Sequence, residues 1–62
     1  MNIKLNFRIS IEVSRRQWET SDMFDTYDKA QAWRRRREAE LLRDNPSRMY
    51  INSNLIVTRV IA

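Results

Sequence analysis

The chain has 62 residues, twelve Lys or Arg against eight Asp or Glu, a formal net charge of +4, and neither Cys, His nor Gly. So short a chain permits one domain, residues 1–62, with one thin core, because it buries only roughly 60% of the surface its unfolded form exposes. Without Cys or His there is no disulfide, thiolate metal site or histidine-based triad, and without Gly neither common phosphate-cradling loop can form, so no catalytic residues, metal or cofactor are expected.

From Ile3 to Val13 every odd position is apolar (Ile3, Leu5, Phe7, Ile9, Ile11, Val13) and the even positions between them are polar. A period of two predicts a half-buried strand with one polar, mildly basic face. Ser14-Arg15-Arg16-Gln17 predicts a turn, and Trp18 to Phe24 a returning strand. Asp22 shares parity with Trp18 and Phe24, which predicts a bulge or an early strand end near Ser21-Asp22. Asp25 or Thr26 then caps a helix running to about Leu42 or Arg43, with Asp28 favourably placed at the positive end of the helix dipole. Pro46 forbids continuation, so Asp44-Asn45-Pro46-Ser47 is the stop. Met49-Tyr50-Ile51 is compatible with a short strand or with a connecting segment. Asn52-Ser53-Asn54 reads as a turn and Leu55–Ile61 as the final strand.

The fold class this predicts is α+β, a three-stranded antiparallel sheet with one helix packed on one face, in the order strand-strand-helix-strand and with the long first strand central. The last strand is apolar on both parities: Leu55, Val57 and Ile61 on one, Ile56 and Val60 on the other. Either a loop or the Met49–Ile51 segment covers the second face, or this edge is an interface for a homodimer or another partner. The longest apolar runs, Leu55-Ile56-Val57 and Val60-Ile61-Ala62, fall far short of the roughly 18 residues of a membrane span. The amino-terminal Met1-Asn2-Ile3-Lys4 enters the strand pattern without an apolar signal core, so a soluble, cytoplasmic protein without membrane contact is expected.

Charge is concentrated in the middle of the chain. Residues 1–25 carry four basic and four acidic groups, whereas residues 26–48 carry seven and four. Such a segment favours an acidic partner: nucleic acid, an anionic protein surface or anionic lipid. Within the helix, Tyr27, Ala30, Leu41 and Leu42 form an apolar stripe with Trp33 on its flank. Of the run Arg34-Arg35-Arg36-Arg37, Arg34 and Arg37 fall in the stripe's sector, with Glu38 and Glu40 in pairing reach, while Arg35 and Arg36 point to solvent. Two candidate surfaces follow. One is the open sheet face, Lys4, Arg8, Ser10, Arg15 and Arg16, joined by Arg59 if the last strand is in register, suited to an acidic partner. The other is a phosphate-contacting helix ridge of Lys29, Arg35, Arg36 and Arg43 for DNA or RNA. Trp18 and Tyr50 are expected in the core or at its rim.

Phe24-Asp25-Thr26-Tyr27-Asp28-Lys29-Ala30 resembles the strand-to-helix corner of the AP2-like amino-terminal domains of phage-type integrases, which carry F-x-T-x-x-x-A there. That resemblance implies DNA binding through a three-stranded sheet. Thr26-x-Asp28-x-Ala30 and Val57-Thr58-Arg59-Val60 are similar to motifs of the small early host-takeover proteins of short-tailed phages that inhibit host RNA polymerase. This second resemblance implies the same element order and makes Arg59 a partner-contacting residue. The expectation is a small non-enzymatic, phage-type accessory protein that modulates a host protein, such as part of the transcription machinery. The alternative is a nucleic-acid-binding protein that uses the arginine helix.

Overall fold

In the computed structural model, which describes residues 2–61, the alternating amino-terminal stretch forms one long strand, β1 (Ile3–Ser14). It is followed by β2 (Gln17–Thr20), α1 (Tyr27–Asp44) and β3 (Ser53–Ile61). Both neighbours of β1 are antiparallel to it and the sheet order is β2-β1-β3, so the α+β class and the central first strand are as the sequence predicts. Met1 and Ala62, the ends of the Met1-Asn2-Ile3-Lys4 stretch and of the Val60-Ile61-Ala62 run, lie outside the described residues.

The hairpin between β1 and β2 turns at Arg15-Arg16, where Arg16 takes the left-handed conformation (φ 64°) that glycine would otherwise supply. One extra residue sits on β1 between Glu12 and Ser14. β2 ends early, at Thr20, and the cause is Ser21. Its amide donates to the Ile9 carbonyl at 2.8 Å, but its hydroxyl, in place of its own carbonyl, accepts from the Ile9 amide at 2.9 Å. The hydroxyl in turn donates to the Asp22 carbonyl at 2.8 Å. Pairing resumes only at Phe24, which exchanges two 2.8 Å backbone bonds with Phe7. The parity break at Asp22 is thus a bulge closed by a serine side chain.

Thr26 caps α1, accepting from the Lys29 amide at 3.2 Å, and Asp28 lies in the first turn. Asn45 closes the other end, its amide donating to the Leu41 carbonyl. The helix lies on the odd-residue face of β1. Ile9, Ile11, Ala30 and Leu41 are the buried hydrophobic residues, and Phe7, Val13, Phe24, Trp33 and Ile51 pack around them. Met49–Ile51 is a connecting segment without strand pairing, with Ile51 turned to the core and Met49 and Tyr50 exposed.

The helix covers only part of the sheet. Toward its amino end β1 pairs with β3 alone, so Ile3, Leu5 and Ile61 stand on a two-stranded arm, all exposed. The molecule is correspondingly elongated, 49 × 21 × 14 Å. No described helix is long and apolar enough to cross a membrane.

Ile9 is fully buried, so removing the hydroxyl that its amide uses strands a donor with no water at hand. Ser21→Ala is expected to lower stability by about 1–3 kcal/mol, measured as a shift of the urea midpoint at unchanged slope. An unshifted midpoint would show that the bulge is not held by this bond.

Candidate functional site

Registering the three strands assigns each basic residue to a face. Residues directly opposite one another across a sheet share a face. The pairs Lys4↔Val60, Asn6↔Thr58, Arg8↔Ile56, Ser10↔Asn54, Ser10↔Thr20 and Glu12↔Trp18 therefore make up the open face, away from the helix. Glu12 is the only acid that the strands place there, and it is already engaged. Asn52 Nδ2 donates to its Oε1 at 3.1 Å, and Arg48 Nη2 lies 3.5 Å from the same oxygen. Lys4 and Arg8 have no ion-pair partner among the described residues and stand against the exposed apolar side chains of Val60 and Ile56.

The remaining members of the expected patch lie elsewhere. Arg59 is opposite Leu5, so it occupies the helix-side face of the arm, with its back to Lys4 and Arg8. The register that would have joined it to them is off by one residue, and in a strand a shift of one reverses the face. Arg15 and Arg16 sit in the hairpin turn, seven and eight residues along the chain from Arg8, a distance of roughly 23 Å at ~3.3 Å per residue. The five residues are not one patch. Conversely, Trp18 is not in the core: it is 48% exposed on the open face, and Tyr50 is also exposed.

The arginine run divides as its helical phase requires. Arg34 and Arg37 turn inward, one to each side of β1. Arg34 Nε donates to Glu38 Oε1 at 3.2 Å, and its fork also reaches Gln31 and the Ser53 carbonyl on the β3 side. Arg37 donates to Glu19 of β2 at 2.9 Å and to Glu40 at 3.0 Å, and these bonds, the Glu19 one foremost, hold its pKa above the ordinary value. Arg35, Arg36 and Arg43 are exposed and unpaired among the described residues, whereas Lys29 is bound to Asp25 at 3.0 Å. The ridge proposed for nucleic acid thus keeps three free cations, and a strong nucleic-acid site uses roughly six or more phosphate contacts.

Two residues that sequence spacing could not single out hold the functional faces in place. Ser21 has been described above. Arg48, in the loop after α1, donates through Nη2 to the Glu12 carbonyl at 2.7 Å and through Nη1 to the Val13 carbonyl at 3.1 Å. Its guanidinium thereby spans the bulged end of β1 and forms part of a cleft of about 470 Å³ with Arg15, Leu41, Asp44 and Asn45. Its partners are 35 and 36 residues away in sequence, so no local pattern marks the contact. No group of three or more acidic, His or Cys residues is placed to hold a metal ion among the described residues. Comparison with known proteins finds no matching family model, no matching curated protein and no matching solved structure.

Two outcomes check this division. Arg34→Gln or Arg37→Gln should cost about 0.5–1 kcal/mol each through lost ion pairs and stem packing, whereas Arg35→Gln and Arg36→Gln should stay within about 0.5 kcal/mol. Equal effects in chemical denaturation would remove the distinction. The hydrogen bond from Lys29 holds the Asp25 carboxyl below its ordinary value of 3.8. A lowered carboxylate pKa contributes stability that is complete above the unfolded value and is lost as pH falls through the folded one. Asp25→Asn should therefore reduce the acid sensitivity of unfolding below about pH 4 and leave its pH dependence near neutrality unchanged.

Proposed function

We propose that the protein is a small binding module whose working surface is the open face of the sheet, and that its ligand is an acidic, partly apolar protein surface. The observation that carries this reading is the pairing of two cations that form no ion pair among the described residues, Lys4 and Arg8, with exposed Ile56 and Val60 and the exposed Trp18 on the same uncovered face. Cations beside apolar and aromatic groups suit an acidic protein surface. Charge steers the encounter and selects the partner, while desolvated apolar and aromatic contacts hold it. A nucleic-acid groove would gain little from Ile56 and Val60. On this reading the protein acts without catalysis, as an accessory factor that occupies a host protein's surface in the manner of the small phage proteins its motifs resemble. The transcription machinery is the target class which that resemblance suggests.

A tagged pull-down from bacterial lysate, with and without nuclease, tests the proposal. The expected result is a stoichiometric protein retained after nuclease and lost with Arg8→Glu or Trp18→Ala, while Arg35→Glu with Arg36→Glu retains it. Retention that vanishes with nuclease and depends on Arg35 and Arg36 would overturn the reading in favour of the helix and nucleic acid.

A further inference from the structure

β3 is an edge strand with few of the devices that usually blunt one. Its register with β1 is unbroken over nine pairs from Ile11↔Ser53 to Ile3↔Ile61, it contains no proline, and its single charged residue is Arg59. The direction of its free hydrogen-bonding groups can be read from the ladder. The Glu12 amide donates to the Asn52 carbonyl at 2.9 Å, and Phe7 and Ile9 use their own peptide groups toward Phe24 and Ser21. Pairs alternate in an antiparallel ladder, so the even residues of β3 face β1 and the peptide groups of Leu55, Val57 and Arg59 point outward along the open edge. Long, regular, apolar edges of this kind are templates for another strand.

The exposed area is also larger than that of a compact monomer. The chain exposes 4971 Å², whereas a compact monomer of its mass exposes about 4,300 Å². The excess of about 700 Å² is close to the ~800 Å² that each partner buries in a standard interface. Its radius of gyration, 13.4 Å, exceeds the roughly 10.6 Å of a compact domain of this length. Exposed apolar side chains stand along the arm and β3, where Ile3 is 62% and Ile61 70% exposed, as well as in the connecting segment at Met49 and Tyr50.

We infer that a second copy of this chain occupies the edge, through antiparallel β3–β3 pairing about a two-fold axis at Val57. An axis there brings all nine residues of both strands into register. An axis at Arg59 would set like charges opposite each other, and axes at the remaining positions shorten the overlap. The result is a six-stranded sheet with both helices on one face. Arg59, unpaired within its own chain among the described residues, would lie opposite the partner copy's Leu55 and one diagonal from its Ser53. The Ser53 hydroxyl already donates to Glu38 at 3.3 Å, so the guanidinium would meet a carboxylate across the axis. This surface is separate from the open face proposed for the ligand, and its failure leaves that proposal standing.

The absence of cysteine makes the test specific, since an introduced thiol is the only one present. Val57→Cys would place two thiols in a hydrogen-bonded antiparallel pair with Cα atoms about 5.5 Å apart, within disulfide reach. Mild oxidation should convert it to a covalent dimer, whereas Ile61→Cys, far from its symmetry mate, should stay monomeric. Sedimentation of the unmodified chain should give twice 7.6 kDa, and Arg59→Glu should weaken association about fivefold to tenfold. Sedimentation as a monomer at high micromolar concentration, or cross-linking of Ile61→Cys as fast as Val57→Cys, would overturn the inference.

Discussion

Everything in this fold leans on the middle of β1. Ile9 and Ile11 are its two fully buried side chains; both peptide groups of Ile9 are committed to Ser21 on the β2 side, while the Glu12 amide bonds to the Asn52 carbonyl on the opposite edge. Burial of each is worth roughly 1.5–3 kcal/mol, a large share of what the four buried hydrophobics among the described residues can supply. Ala30 makes this possible. Only a small side chain lets the helix backbone come close enough to seal two isoleucines, and the larger residues around it, Phe7, Phe24 and Trp33, close the rim.

The walls of that core are ionic. Arg34 with Glu38 and Ser53 closes the β3 side, and Arg37 with Glu19 and Glu40 the β2 side. Pairs this exposed contribute little each to stability. Their aliphatic stems nonetheless cover apolar surface that a 62-residue chain has too few large hydrophobics to cover. A run of four arginines that looks like a ligand site is thus half consumed in building the fold, which weakens the case for nucleic acid at the helix.

Local periodicity carried most of the architecture. The alternation of residues 3–13 marked β1, Asp25-Thr26 and Pro46 bracketed the helix, and helical phase separated Arg34 and Arg37 from Arg35 and Arg36. The parity clash at Asp22 even located the end of β2. What local pattern could not show was the register between strands distant in sequence. Nothing within residues 53–61 says whether Arg59 faces with Arg8 or with Leu5, because that depends on how the loop after α1 delivers β3 to β1. Trp18 was misplaced for a related reason. Its hydrophobicity suggests burial, but the single helix covers the odd-residue face, and the even face that carries Trp18 is left open. Arg48 acts at long range in sequence and leaves no trace in spacing.

The two proposed surfaces bear on each other through the geometry of the sheet. A two-fold axis perpendicular to the sheet keeps both helices on one side and both open faces on the other. Lys4 and Arg8 of two copies would then stand on one continuous face, with Ile56, Thr58 and Val60 of both β3 strands between them. A face of that kind binds an extended acidic surface better than either half, since the second contact becomes intramolecular once the first is made. The apolar character of β3 on both parities would then have a separate cause on each side. Leu55, Val57 and Ile61 would serve the junction between copies, and Ile56 and Val60 would serve the ligand. A single monomeric domain with one binding face has a use for only one of those two sets.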